Sequence, residues 1–243
     1  MHFYWSYLVM RLGGADVLHD AETGKDGGFN NPVFAQAGEK PKQLAALDPF
    51  QKGWLSEMFP ASTSQFGDQA GAIDLMGNWL LGMQGSNATN GKGIPDDQIG
   101  PIPSPTLPGG KGHITDTLGG TKGLLITKGS PKEPLDFLEF FSQVKKQDLA
   151  AAKGAYVPAV IGTDKALTDP RLPVIAHNIA TSTWHQNFFN QDLGPSVGRV
   201  VNDISVAIAT GQLSPADGTA QVQDAWHQAD RRGMTRWRAT PAS

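Results

Sequence analysis

Hydrophobic and polar positions change rhythm several times along this chain, and each change predicts an element. Residues 2–12 (HFYWSYLVMRL) are apolar and aromatic, then stop at Gly13-Gly14. That predicts a buried helix closed by glycine. Phe3, Tyr4 and Trp5 are consecutive, so they cannot share one helix face, and at least one faces a partner, a ligand or solvent. Asn31-Pro32 opens a helix to about residue 47, with Pro at the preferred first position. Pro41 lies inside it and should break or kink it, at a cost of about 3 kcal/mol if the helix ran straight. Residues 48–61 read as a loop anchored by Trp54 and Phe59, and Ser62 or Thr63 caps a short helix ending near Gly67. The apolar run 70–76 predicts a strand, which turns at Gly77-Asn78-Trp79 into an apolar helix. Small residues there allow a tight turn and leave N–H groups of the helix N-terminus free.

The middle of the chain is more broken. Residues 86–112 form a long Pro/Gly-rich connection. Within it, 99–107 is an edge-strand candidate whose Pro101, Pro103 and Pro105 deny it ladder donors. Residues 123–127 (GLLIT) predict a short buried strand. A helix over 131–143 carries Leu135, Leu138 and Phe141 on one side with Phe137 beside them, and a second helix runs to about Lys153. Residues 156–160 read as extended. The segment 164–182 reads as a helix split at Pro170 and Pro173, and 183–194 as a loop without period. The strongest helical pattern is 195–211, where Val197, Val200, Val201, Ile204 and Ile208 make one stripe. Ser214-Pro215 caps and starts a last helix to about Asp230. A basic tail, 231–243, follows.

Composition narrows the function. The chain has 243 residues, 39% hydrophobic and 18% charged, with net charge −3. No basic stripe interleaved with aromatics exists, so no nucleic-acid partner is expected. Cysteine is absent, which removes disulfides and thiolate chemistry. No apolar run approaches the roughly 20 residues of a membrane span. The first residues lack the basic region and cleavage site of a signal peptide. The six histidines are not paired at metal-ligand spacing, so no metal and no cofactor are expected. The acids of 20–28 lack the spacing and closing Glu of a calcium loop.

Motifs for metalloprotease, serine-hydrolase, P-loop and dinucleotide chemistry are missing, which favours binding over catalysis. An enzymatic alternative, glycoside hydrolysis, needs two carboxyl groups facing each other across a cleft, for instance among Asp68, Asp74 and Asp116. The residues that invite a ligand are few. Trp79 offers a large flat face beside a turn, suited to the CH face of a sugar ring, with hydroxyls bonded at the rim. It reads equally as a half-buried packing residue. His185, next to Trp184, is the one histidine placed near a ligand; its other reading is a plain surface histidine.

Six segments in order resemble one family: FYWSYLVMRLGG (3–14), FGDQAGAIDLMGNW (66–79), PTLPGGKG (105–112), LGGTKGLLITKGSPKEPLDFLEFF (118–141), LTDPRL (167–172) and VNDISVAIATGQLSPADGTAQVQDAW (201–226). The chain is similar to the later part of an extracellular solute-binding protein of a sugar ABC importer, in the group containing maltose-binding protein. Its closest flavour is the actinobacterial xylobiose or oligosaccharide type. The resemblance implies a helix-rich α/β fold of the periplasmic-binding-protein-like type II, here the C-terminal lobe plus a piece of the other lobe. Residues 1–118 and 154–230 would belong to the second lobe and 119–153 to the first, with 231–243 a tail. The strand at 123–127 would then lack its sheet neighbours, a costly and sticky edge.

By the same resemblance Trp79 stacks on sugar, with Asn78 beside it, and Phe3 and Tyr4 are aromatic contacts. Gly119, Gly120 and Thr121 are backbone passing the cleft. The family's further aromatic, near Gly198, is absent, and Trp184, His185 or Asp192 stands in for it. Pro41, Pro101 and Pro103 fall where relatives continue a helix or strand. The implied partners are an oligosaccharide such as xylobiose and the importer's membrane subunits, and the implied location is extracellular or a cell-surface lipoprotein. The alternative is a non-transporting fragment that self-associates through an exposed lobe face.

Overall fold

The computed structural model describes residues 1–120, 122–153 and 156–233. In chain order the helices α1 (His2–Gly13), α2 (Val17–Glu22), α3 (Pro32–Ala45), α4 (Ala61–Gly67) and α5 (Leu80–Asn87) come first. Strand β1 (Thr117–Gly119) follows, then α6 (Glu133–Phe141), α7 (Val144–Ala152) and α8 (Leu172–Ala180). Strand β2 (His185–Asn187), α9 (Phe189–Asp192), α10 (Gly194–Ala209) and α11 (Pro215–Arg231) come last. Among the described residues the only sheet is β1 paired with β2. It is parallel, with Thr117 opposite His185 and Gly119 opposite Asn187. The chain is therefore a helix-rich α/β protein. It divides into two compact units. The first comprises Met1–Leu55, Pro103–Gly120 and Thr183–Ser243, the second Ser56–Ile102 and Thr121–Ser182.

The first unit is built on α1, α3, α10 and α11. Their apolar stripes meet in one core that includes Trp5, Val9, Phe34, Val201, Ile204 and Trp226. Burying each such side chain contributes about 1.5–3 kcal/mol, so this core holds the unit together. The helix ends match the sequence signals. Gly14 closes α1 at φ 86°, where a side chain would be strained. Asn31 accepts a hydrogen bond from the Val33 N–H and caps α3, and Ser214 accepts from the Asp217 N–H and caps α11. Of the two outcomes expected at Pro41, a break or a kink, the break does not occur: α3 runs on to Ala45, close to the expected end, with Pro41 buried beside Phe34, Ala37 and Gly38. Packing of that face offsets the lost backbone bond.

A buried cation ties the connection 103–120 to α1. Arg11 is 1% exposed and donates to the carbonyls of Ser104, Pro105, His113 and Asp116. Tyr7 lies under the guanidinium at 5.4 Å, and its hydroxyl accepts from the Leu118 N–H. Asp116, 3.9 Å from Arg11, accepts from the His113 N–H at 2.6 Å. These bonds hold the backbone that leads into β1.

The second unit has little core. Ala151, Leu167 and Leu172 are buried together, with Leu81 and Ile175 packed at their edge. Arg171 joins Asp169 and Asp96 in an ion-paired cluster. The strands expected at 70–76 and 123–127 do not form; both segments are irregular. So are 99–107 and the extended stretch expected at 156–160. A strand needs a neighbour to take its N–H and C=O groups. Among the described residues no neighbour pairs with these segments, so they remain open chain. Leu125 is 82% exposed and Ile73 76%. Phe59, expected as an anchor, is 58% exposed, whereas Trp54 packs on Phe50 at 4.7 Å within the first unit. The split expected at Pro170 and Pro173 is met only in part: a single turn at Asp164–Ala166 is followed by irregular chain through Pro170, whereas Pro173 sits inside α8, in its first turn.

Candidate functional site

The expected ligand residues fall into two sets, one in each unit. In the first unit, the stretch 183–194 was expected to be loop and instead holds β2 and α9. Thr117 N–H donates to the Trp184 carbonyl at 2.9 Å and Phe188 N–H to the Gly119 carbonyl at 3.0 Å, which fixes the end of β1 against β2. This pairing brings Gly119 and Gly120 close to the side chains of the neighbouring stretch. A Cβ at Gly119 would come within 2.9 Å of the His185 ring, and one at Gly120 within 3.1 Å of Phe188. A side chain at Gly119 would have to displace the His185 ring, and one at Gly120 would press on Phe188.

Around that corner the aromatic groups converge. Phe3, on the first turn of α1, lies 4.6 Å from Phe188, and His2 is 4.2 Å from Phe3. Burial, together with the N-terminal amine, pushes the His2 imidazole down to about 4, and its Nδ1 is buried without a partner. His185 Nδ1 and Thr117 Oγ1 are 2.8 Å apart, and desolvation holds His185 below its ordinary value. Phe3, Gly119, Gly120 and His185 are thus brought together. Tyr4 turns elsewhere, edge-on to Phe50 at 6.2 Å. Trp184 packs against the core with its Nε1 buried and unpartnered. Asp192 accepts from Gln186 Nε2 at 2.7 Å, so its carboxylate already has a structural bond. Thr121 lies outside the described residues.

The second unit carries Trp79 and Asn78 at the entrance to α5. Trp79 is half-buried. Its indole folds back on the chain so closely that a Cβ at Gly77 would collide with it. One face of the ring is thus backed by the Gly77 backbone. The helix donors expected to be free are partly used: Leu80 N–H donates to the Gly77 carbonyl and Leu81 N–H to the Asn78 carbonyl. Nearby, burial pushes the Asp74 carboxyl up. Asp68 is held low by the Thr89 hydroxyl and N–H, both at 2.7 Å. Asp116 is committed to Arg11 and His113.

Sequence reasoning missed Phe188 and His2. The Phe188-Phe189 pair was the available signal, hidden because 183–194 has no regular period. It also gave no hint of a hollow of about 370 Å³ in the first unit, at the far end of α1 from Phe3, where Leu12, Val17, Lys25, Asn31 and Lys111 are among the lining residues. None of the expected ligand residues lines it. Among the described residues no group of three His, Asp or Glu side chains could hold a metal, and no helix is long and apolar enough to cross a membrane.

No family model matches the sequence, and no curated protein is similar to it. A solved structure is. It comes from work on xylan utilization by the thermophilic bacterium Caldanaerobius polysaccharolyticus, with a TM-score of 0.75 at 19% identity over 92% of this chain. The match covers 57% of that structure's chain, so this chain spans a little over half of its length. At that identity the likeness is one of fold.

Proposed function

We propose that this chain binds carbohydrate, as the substrate-binding component of a sugar ABC importer. The observation that carries the reading is the fold likeness over 92% of the chain to a structure from a xylan-utilization study. Three features agree with it: an indole backed on one side by the Gly77 backbone, an aromatic corner at Phe3 and Phe188, and the backbone turn at Gly119-Gly120. An indole held flat by its own backbone needs no ordering when a sugar ring stacks on it. The ligand class is a short oligosaccharide such as xylobiose. The importer's membrane subunits, and an extracellular or surface-anchored location, belong to the same proposal, and no catalytic step is part of it.

Titration calorimetry with xylobiose, maltose and N-acetylglucosamine oligomers tests the reading. Saturable heat at millimolar sugar, lost in Trp79→Ala while the fold is retained by circular dichroism, is the expected result. No heat with any of the sugars sinks it.

A further inference from the structure

The two faces of the β1–β2 pair differ. Leu118 packs against the core and Gln186 is buried, so these two point inward. Side chains alternate along a strand, so Thr117, Gly119 and His185 line the outer face. Polar groups pair across that face: the Thr115 and Thr183 hydroxyls are 2.6 Å apart, and Thr117 Oγ1 lies 2.8 Å from His185 Nδ1. From Thr117 the His185 ring reaches over Gly119. A Cβ there would stand 2.9 Å from its Cε1 and 3.3 Å from its Nε2, so the ring lies over backbone that carries no side chain. The hydroxyl hydrogen of Thr117 needs an acceptor, and among the described residues that acceptor is His185 Nδ1. An Nδ1 that accepts leaves the ring's proton on Nε2. Burial lowers His185 below its ordinary value, so the ring is uncharged at neutral pH. Nε2–H is then a neutral donor on an exposed side chain, with no acceptor among the described residues. Such a donor suits a neutral oxygen; a carboxylate gains more from a cationic one.

We infer that His185 Nε2–H donates to a hydroxyl or ring oxygen of a neutral sugar lying on the outer face of the β1–β2 pair, and that Thr117 is the positioning residue that fixes the imidazole's tautomer and direction. The inference rests on the carbohydrate reading above and adds to it a pair that sets specificity. A hydroxyl at 117 acts only through the ring beside it, so its removal leaves His185 in place with the proton and the direction of the ring no longer fixed.

Two measurements test it: NMR of the imidazole nitrogens in the free protein, and titration calorimetry with xylobiose, maltose and N-acetylglucosamine oligomers. The expected tautomer carries its proton on Nε2. His185→Phe keeps a ring without the donor and should weaken sugar binding about tenfold, the worth of one well-placed hydrogen bond. His185→Gln keeps a donor and should recover part of that loss. Thr117→Val should lose the tautomer preference and weaken binding about threefold, whereas Thr117→Ser, which keeps the hydroxyl, should match wild type in both. Circular dichroism checks that each variant is folded. Equal affinity in wild type, His185→Phe and His185→Gln overturns the inference and leaves the carbohydrate reading standing. A proton on Nδ1 in the free protein, or wild-type affinity in Thr117→Val, overturns the role of Thr117. No heat from the wild type with any of the sugars sinks the carbohydrate reading and this inference with it.

Discussion

Helices α10 and α6 carry the same kind of pattern, with apolar side chains at helical spacing, and end in opposite situations. In α10 Val197, Val201, Ile204 and Ile208 are fully buried against α3 and α11. In α6 nothing is buried. The same contrast separates the units that hold them. The first has a core of many buried side chains, the second a core of three. A periodic pattern states which face an element would bury; it does not state that anything is there to bury it against. The first unit supplies those surfaces from its own chain. The second leaves its apolar side chains to solvent or to a partner.

The largest effect should come from the well-packed side. Phe34 is fully buried between Trp5 and Phe29. Phe34→Ala should cost about 3–5 kcal/mol through lost contacts and the cavity left behind. Denaturant titration followed by circular dichroism measures it, and a loss under about 1 kcal/mol would break the contrast drawn between the units. Next comes the cation beneath β1. Arg11→Leu removes the donor to five backbone carbonyls, those of Ser104, Pro105, His113, Ile114 and Asp116, and strands Asp116 without its cation. A loss of about 3 kcal/mol is expected, together with faster amide exchange at 117–119.

The contrast also explains what could be read from the sequence. Elements of the first unit were legible because their signals are local: Asn31 and Ser214 cap, Gly14 closes, and the stripe of α10 has one period. The strands at 70–76 and 123–127 were misread because a strand is made by its neighbour, and apolar runs cannot say whether one exists. The loop at 183–194 failed the other way. Its strand is three residues long and is specified by pairing with Thr117–Gly119, a partner far off in sequence. The break allowed for at Pro41 does not occur, because propensity was weighed without the packing of Phe34 and Ala37. Of the candidate site, the Gly77 turn and the Gly119-Gly120 close approach were visible as small residues. The bond that occupies Asp192 was not, since Gln186 gives no sign of its target.

A smaller, pH-dependent effect is expected at His2. Its folded-state value is about 4 against an ordinary 6.5, chiefly because burial disfavours the charged ring. The unfolded chain therefore takes up a proton that the folded one refuses. Full stability from the neutral ring is present above pH 6.5, is lost progressively as pH falls toward 4, and changes no further below that. The total is on the order of 2 kcal/mol after allowance for solvent screening. His2→Leu should flatten the fall in melting temperature between pH 7 and pH 4.5 relative to wild type. An unchanged slope would show that His2 is not the group responsible.

The smallest effect belongs to the poorly packed side. Phe137 is 54% exposed, so Phe137→Ser gives up little buried area. In dilute protein it should change unfolding free energy by no more than about 0.5 kcal/mol. The same substitution made at Phe34 would be ruinous, because a hydroxyl would be buried without a partner in place of a ring. Two phenylalanines of one chain thus differ by their surroundings alone. Measuring Phe137→Ser at low and high protein concentration separates two sources of stabilisation. A cost that appears only at high concentration comes from contacts between copies. A cost of several kcal/mol at both would mean that α6 is packed within its own chain, and the contrast between α6 and α10 would be lost.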